Sequence, residues 1–562
     1  MLAPRRMALL AATALLVVAC QTAGPPTKAL ATDQTLRIAI PSDISTVEPL
    51  DPPQIGDFLT VAIGSNVFGG LYRYDDNLRV RPDIATGSPD VSPDGRTYTF
   101  HLRQNATFSN GDPVTAADFV YSWNRAAPAP NYSSLTFGAI DGYQAIVAAT
   151  AAMQPVPPLS GLSAPDAHTL VVRLTAPSGA WLPALGLPSA WVVDRKVIAT
   201  YGEATWWTTP AGLIGTGPFK LTARTEKESL VFTPLPHWWG GSTGNLYRVE
   251  LHVLPAGASQ TQAYRTGQVD VLGFGVPASG PGAPELASSQ GSLLESLTSD
   301  PARRGEIHTW TFGHSEWVGF NFKAGPFAAA DGRDLRLAFS QAIDRSALAR
   351  AACEQGWACT PATGGLITKG LQGYLGNGAD PTAHFDPAKA RAALAVLDPG
   401  GSRLRGLIYS YGPASPFLDT VAKNLHDQWK ANLGLDIKIQ ALDQGSFFAA
   451  RAGGQLTMFR GSWVADYDHP GDWFDNLFTS AEGVYSGYSN PTVDAMVAAA
   501  DRLPPESALS RYQQAGRLLL DDQAMAVLFY FSRTEVVKPY VDGYGANPLL
   551  DYRWMSIRIL QH

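Results

Sequence analysis

Three groupings in this chain have residue types and spacings that could do chemistry. Gly240-Gly241-Ser242-Thr243-Gly244 matches the G-x-S-x-G pattern, in which a nucleophilic serine sits on a sharp strand-to-helix elbow. Here Pro236-His237-Trp238-Trp239 precedes the motif and a strand-like run, 247–254, follows it, so it reads as a polar loop. A secreted serine hydrolase using Ser242 is the remote alternative function. Asp466-Tyr467-Asp468-His469-Pro470-Gly471 begins like a calcium loop, but Pro470 and Leu477 fall at its fifth and twelfth positions, where oxygen ligands are required. No metal is read there. Asp466, Asp468, Asp472 and Asp475 still make a dense acidic segment, either a solvated loop or a site that receives a cation. Cys353 and Cys359 have five residues between them. Outside the cell such a pair reads as a disulfide; a metal site is the alternative, although no His or third Cys lies nearby. No H-E-x-x-H occurs, the His residues lack ligand spacing, and nothing assembles a nucleophile, a base and an oxyanion donor. The reading is a binder rather than an enzyme, with no catalytic residue and no cofactor.

The elements that must position these residues belong to a large globular chain. With 562 residues, 45% apolar and 16% charged, it is ordered and too long for one core. Its 42 basic and 49 acidic residues, a net −7, argue against a nucleic-acid partner. Arg5 and Arg6, an apolar run 7–19 too short to span a bilayer, and Ala19-Cys20 describe a signal peptide. The Cys directly after a small residue resembles the bacterial lipobox, which makes Cys20 the lipidated N-terminus and anchors the protein to the outer face of the membrane. Residues 20–33 then read as a tether. Strands are predicted at 35–40, 97–103, 171–174, 230–232, 249–253, 404–409, 437–442, 458–463 and 526–531. Helices are predicted after Thr115 with Asp118, over 333–343, from Asp386-Pro387, and from Asn490-Pro491 through Ala500. The Pro- and Gly-rich stretch 276–290 reads as a long loop. Interleaved strands and helices give an α/β or mixed class.

Several segments together resemble a known family. Gly70-Leu71-Tyr72-Arg73-Tyr74-Asp75 leads to Arg81-Pro82-Asp83-Ile84-Ala85. Asp94-Gly95-Arg96-Thr97-Tyr98-Thr99-Phe100-His101-Leu102-Arg103 runs into Phe108-Ser109-Asn110-Gly111-Asp112-Pro113-Val114-Thr115-Ala116 and Asp118-Phe119-Val120-Tyr121-Ser122-Trp123. With Gly215-Thr216-Gly217-Pro218-Phe219, Gly319-Phe320-Asn321-Phe322, Ala342-Ile343-Asp344-Arg345 and the tail from Val537, the chain from about 34 to 562 resembles the extracytoplasmic peptide-binding proteins of ABC importers. The tail is similar to the oligopeptide-binding branch.

The resemblance implies an α/β, two-lobe periplasmic-binding-protein fold of the class II kind, hinged around a buried cleft. Lobe I would comprise 34–69, 188–314 and 532–562, an inserted domain 70–187, and lobe II 315–531. It implies capture of short peptides for the membrane subunits of an ABC importer, by a monomer. Relatives also carry nickel chelates, opines, sugars or haem, which is the alternative. The resemblance assigns Asp466 to the peptide's α-ammonium, the backbone of Ser462, Trp463 and Val464 to the peptide main chain, and Trp463 and Trp317 to side-chain pockets. Arg451 and Arg460 stand where that branch meets peptide carboxylates. Ser340, Leu418 and Gly273-Phe274 depart from its pattern, replacing a Lys, a His and an Asn pair.

Overall fold

The computed structural model describes residues 29–44, 49–255, 258–275, 291–353, 356–481, 486–549 and 552–562. The signal peptide, Cys20 and the loop expected at 276–290 lie outside these residues. No helix among the described residues is long and apolar enough to cross a membrane.

An eleven-stranded mixed sheet organises the chain. Its strands are β1 (Thr35–Ile40), β2 (Phe219–Thr225), β3 (Ser229–Pro234), β4 (Arg248–Val253), β5 (Val271–Leu272), β6 (Ile307–Phe320), β7 (Cys359–Pro361), β8 (Ile408–Tyr411), β9 (Lys438–Ala441), β10 (Met458–Val464) and β11 (Met525–Val537). The order is β9-β8-β10-β6-β11-β5-β1-β4-β3-β2, with β7 also paired to β11. β1 is central and parallel to β4 and β5. Five of its six residues are buried, the signature of a strand covered on both faces.

β6 and β11 carry the architecture. They have 14 and 13 residues, about 45 Å at 3.4 Å per residue, which is long enough to serve both halves of the sheet. Their antiparallel register slips where Thr311 faces Ser532 and Ser315 faces Tyr530. Phe312, Gly313 and His314 are thus set against Phe531 alone, a bulge that bends the strand and increases its twist. On one side β11 continues into β5 and β1; on the other β6 continues into β10.

Between β1 and β2 the chain builds a separate antiparallel sheet from Asp90–Val91, Thr97–His101, Thr169–Arg173 and Leu162–Asp166, in that order. The helix Ala116–Ala126 buries Phe119 and Trp123, and a reciprocal Thr115–Asp118 capping box satisfies its first turn.

Most predicted elements form within a few residues of the expected bounds. The strand expected at 404–409 instead starts at Ile408, because the preceding residues turn through Gly406, whose φ of 78° suits glycine. The expected tether also ends early: Ala31 donates to the Ile559 carbonyl, Gln561 donates to that of Ala29, and Leu30 bridges Leu560. Cys353 and Cys359 are joined in a disulfide, and β7, which begins at Cys359, pairs with β11 at Phe531.

Candidate functional site

Ser242 lies exposed in an irregular loop between β3 and β4, and its Oγ accepts only from the nearby Gly244 N–H. The strand-to-helix elbow that would sharpen it into a nucleophile does not form.

The acidic segment is placed differently. β10 is paired along its whole length with β6, from Met458 opposite Phe320 to Val464 opposite His314. Ala465 extends that ladder by donating to Gly313 O at 2.6 Å. On its other side β10 pairs with β8 only at Met458 and Phe459. From Arg460 to Val464 this edge has no partner strand among the described residues, and Ser462, Trp463 and Val464 are half-buried along it. An open strand edge offers a row of N–H and C=O groups to an added extended chain.

Asp466 follows the end of this edge. With Arg73, Tyr74, Asp83, Trp191 and Arg553 it lines a cleft. Directly behind it stands Asp472, fully buried in the helix Gly471–Leu477. Asp472 Oδ2 accepts from the Asp466 backbone N–H at 3.0 Å and from the Trp463 indole N–H at 3.2 Å. Burial pushes the Asp466 carboxyl up to about 6. Burial, and then the charge of Asp466, hold the Asp472 carboxyl well above the ordinary range. Asp468 is also raised by burial to about 6, against the pull of the Gln372 N–H donors. Burial lowers His469 to about 4. No ion pair reaches Asp466 or Asp472 among the described residues, so these two carboxyls lie without a cation of their own.

At the far end of the open edge, Arg460 forms a two-point pair with Glu316, Nε to Oε1 at 2.6 Å and Nη2 to Oε2 at 2.8 Å. Glu316 is fully buried. Burial would neutralise both groups, but the parallel charge-assisted bonds hold Arg460 protonated.

The model of the bacterial extracellular solute-binding proteins, family 5 middle region, matches residues 79–485. The chain belongs to this family. The periplasmic murein peptide-binding protein MppA of Escherichia coli is 28% identical over 520 residues, 89% of this chain and 88% of that protein. The periplasmic oligopeptide-binding protein OppA of Salmonella typhimurium is 26% identical over 563 residues, 98% of this chain and 97% of that protein. A structure of MppA described as its unliganded open form superposes with a TM-score of 0.81 at 25% identity, covering 96% of this chain and 99% of that one. A second MppA structure, from Escherichia coli, gives 0.68 at 25% identity, covering 95% and 100%. The fold is thus the two-lobe solute-binding fold.

In that fold, Ser462, Trp463, Val464 and Asp466 come together along one edge, with Arg460 at its opposite end. Arg451, near the end of the helix Gln444–Ala452, lies over the rings of Phe447 and Phe448 at 5.4 and 5.1 Å. Trp317 is one layer behind, buried under Gly461 and packed on Phe478. A side chain at 461 would collide with the Trp317 indole, so glycine permits this approach. Ser340 is fully buried, donating to Thr382 O and accepting from Arg345, and Leu418 is packed in the core. Gly273 O accepts from Arg533, while Phe274 packs on Tyr552 at 4.5 Å. Sequence reasoning missed Glu316, a buried acid in β6 that no local motif marks. It counted Asp472 in the acidic cluster without seeing that it backs Asp466.

Proposed function

We propose that this protein captures short peptides outside the cytoplasm and delivers them to an ABC importer, without itself catalysing a reaction. The observation that carries this reading is Asp466: a carboxyl with no cationic partner among the described residues, in the cleft, at the end of an unpaired strand edge. A peptide is the solute that satisfies both features at once. Its α-ammonium compensates a buried carboxylate, whose burial is otherwise costly, and its main chain completes the ladder of β10 without regard to side chains. Trp463 would cover the first side chains. Arg460 would meet the distal end with its charge already shared by Glu316, and Arg451 would act only if closure brings it in. Trp317 would support the wall from behind. The peptide-binding names of MppA and OppA fit this reading. Neutral sugars and haem carry no ammonium group to pair with Asp466.

The arrangement is read as the open state, since the higher TM-score is to the unliganded open form. Closure would bend β6 and β11 at the bulge. We further read the protein as a monomer anchored through lipid on Cys20, with lobe boundaries near Ser315 and Ser532. Native mass spectrometry of the protein purified from its own periplasm or cell surface tests the solute class. A ladder of short-peptide masses is expected, and a uniform non-peptide mass would contradict it.

A further inference from the structure

Resting on the reading of Asp466 as an ammonium anchor, we propose that Asp472 is its positioning residue, and that the two carboxyls share one proton which the arriving ammonium group expels.

The geometry points to this in three ways. First, a single oxygen, Asp472 Oδ2, holds both the Asp466 main chain and the Trp463 indole, so one buried group orients the anchor and the aromatic wall beside it. Second, the other oxygen, Oδ1, is buried without a hydrogen-bond partner. An ionised Asp472 would leave that oxygen charged and dry, which is costly; protonation removes the buried charge. Third, Asp472 Oδ2 accepts from the main-chain N–H of Asp466 itself, which sets the two acids side by side, and the charge of Asp466 adds to burial in raising the Asp472 carboxyl, so the pair titrates as a unit.

The surroundings leave the proton as the charge-balancing particle. Tyr467, Asp468, His469 and Asp475 neighbour the pair on its own segment, and Tyr74 and Tyr132 face it from elsewhere in the chain, with Asp57, the cap of the helix Phe58–Val67, beside Tyr132. None of these brings a positive charge, because burial keeps His469 neutral. The cations on the cleft wall are engaged elsewhere, Arg73 with Asp83 at 3.8 Å and Arg553 with Asp76 at 3.4 Å.

The exchange balances. The empty pair carries two carboxyls and one proton, a charge of −1. When R–NH3+ enters, the O–H bond of the shared proton breaks, the proton passes to solvent, and two carboxylates face one ammonium. The local charge remains −1, so no net charge is buried during capture. No oxidant or other reactant is involved. The consequence is specificity: a neutral N-acetylated peptide cannot displace the proton, and a metal cation would have to do so against a single open carboxylate.

Infrared difference spectra and calorimetry on the full mature protein test this at pH 7, with trialanine as the probe. The empty protein is expected to show a protonated-carboxyl C=O band that disappears on adding trialanine. Titrations in two buffers of different ionisation enthalpy should report about one proton released per peptide. In Asp472→Asn, the amide oxygen can still accept from Trp463 and Asp466, so the variant should bind trialanine with no proton release and no carboxyl band. Asp472→Ala should weaken binding at least tenfold and alter Trp463 fluorescence. Absence of the band in the empty wild-type protein, or equal proton release by wild type and Asp472→Asn, would overturn the proposal. If the band is present but trialanine does not bind, the shared proton stands and the peptide reading falls.

Discussion

Asp466 is the residue on which the account turns, and its environment fixes the sign of two pH effects. Its carboxyl is raised by burial to about 6, above an unfolded value of 3.8. Between these values the empty native state holds more proton than the unfolded chain, so the contribution of Asp466 to stability is present below about 4 and is lost as pH rises through 6. Affinity for an ammonium group runs the other way, rising with pH through the same window as the carboxyl ionises. Chemical denaturation and peptide titration across pH 4.5 to 7.5, roughly the interval that brackets these values, should show opposite slopes. Asp466→Asn should flatten both and weaken peptide binding about 30-fold or more, the usual cost of removing one member of a buried charge pair being about 2–5 kcal/mol. At this scale the sequence revealed the cluster but not its order. Asp466, Asp468, Asp472 and Asp475 look alike in a string. Only the fold turns one toward the cleft, gives another to Gln372 and buries a third behind the anchor.

Strands and caps were legible for a physical reason: β1, β4 and the helix at Asn490-Pro491 carry local patterns of apolar spacing and capping that suffice to specify them. The bulge in β6 was not legible, because Phe312, Gly313 and His314 face Phe531 across more than 200 residues of sequence. The pairing of Glu316 with Arg460 is non-local for the same reason. The bulge sets the exit of β10. A Cβ at Gly313 would come within 3.1 Å of Ala465 Cβ, the residue before Asp466. Gly313→Val should therefore displace the anchor and lower peptide affinity about tenfold, with overpacking costing about 1–3 kcal/mol of stability. Paired calorimetry and urea denaturation separate the two effects. The Cys353–Cys359 disulfide braces β7 against the same stretch of β11. Replacing both cysteines with serine should cost about 2 kcal/mol in urea denaturation, the entropy of a loop this short.

The whole molecule has the two-lobe solute-binding fold, with β6 and β11 the longest of the described strands. Such a body stores its response in the angle between lobes, and small-angle scattering should show the radius of gyration fall when peptide is added to the wild type. Asp466→Asn should require a far higher peptide concentration for the same change. The two-lobe fold was legible through family resemblance rather than through periodicity, because the large sheet draws its strands from distant stretches of the chain that no local pattern links. At the membrane, Cys20→Ala should release the protein into the soluble fraction of spheroplasts, whereas the wild type should stay with the membrane.

Capture in this cleft, as proposed, depends on a free peptide ammonium. Isothermal titration of the mature protein with trialanine and with N-acetyl-trialanine tests it most directly. Saturable one-to-one binding of the free peptide is expected, with at least a hundredfold weaker binding of the acetylated one. Equal affinity for the two would contradict it.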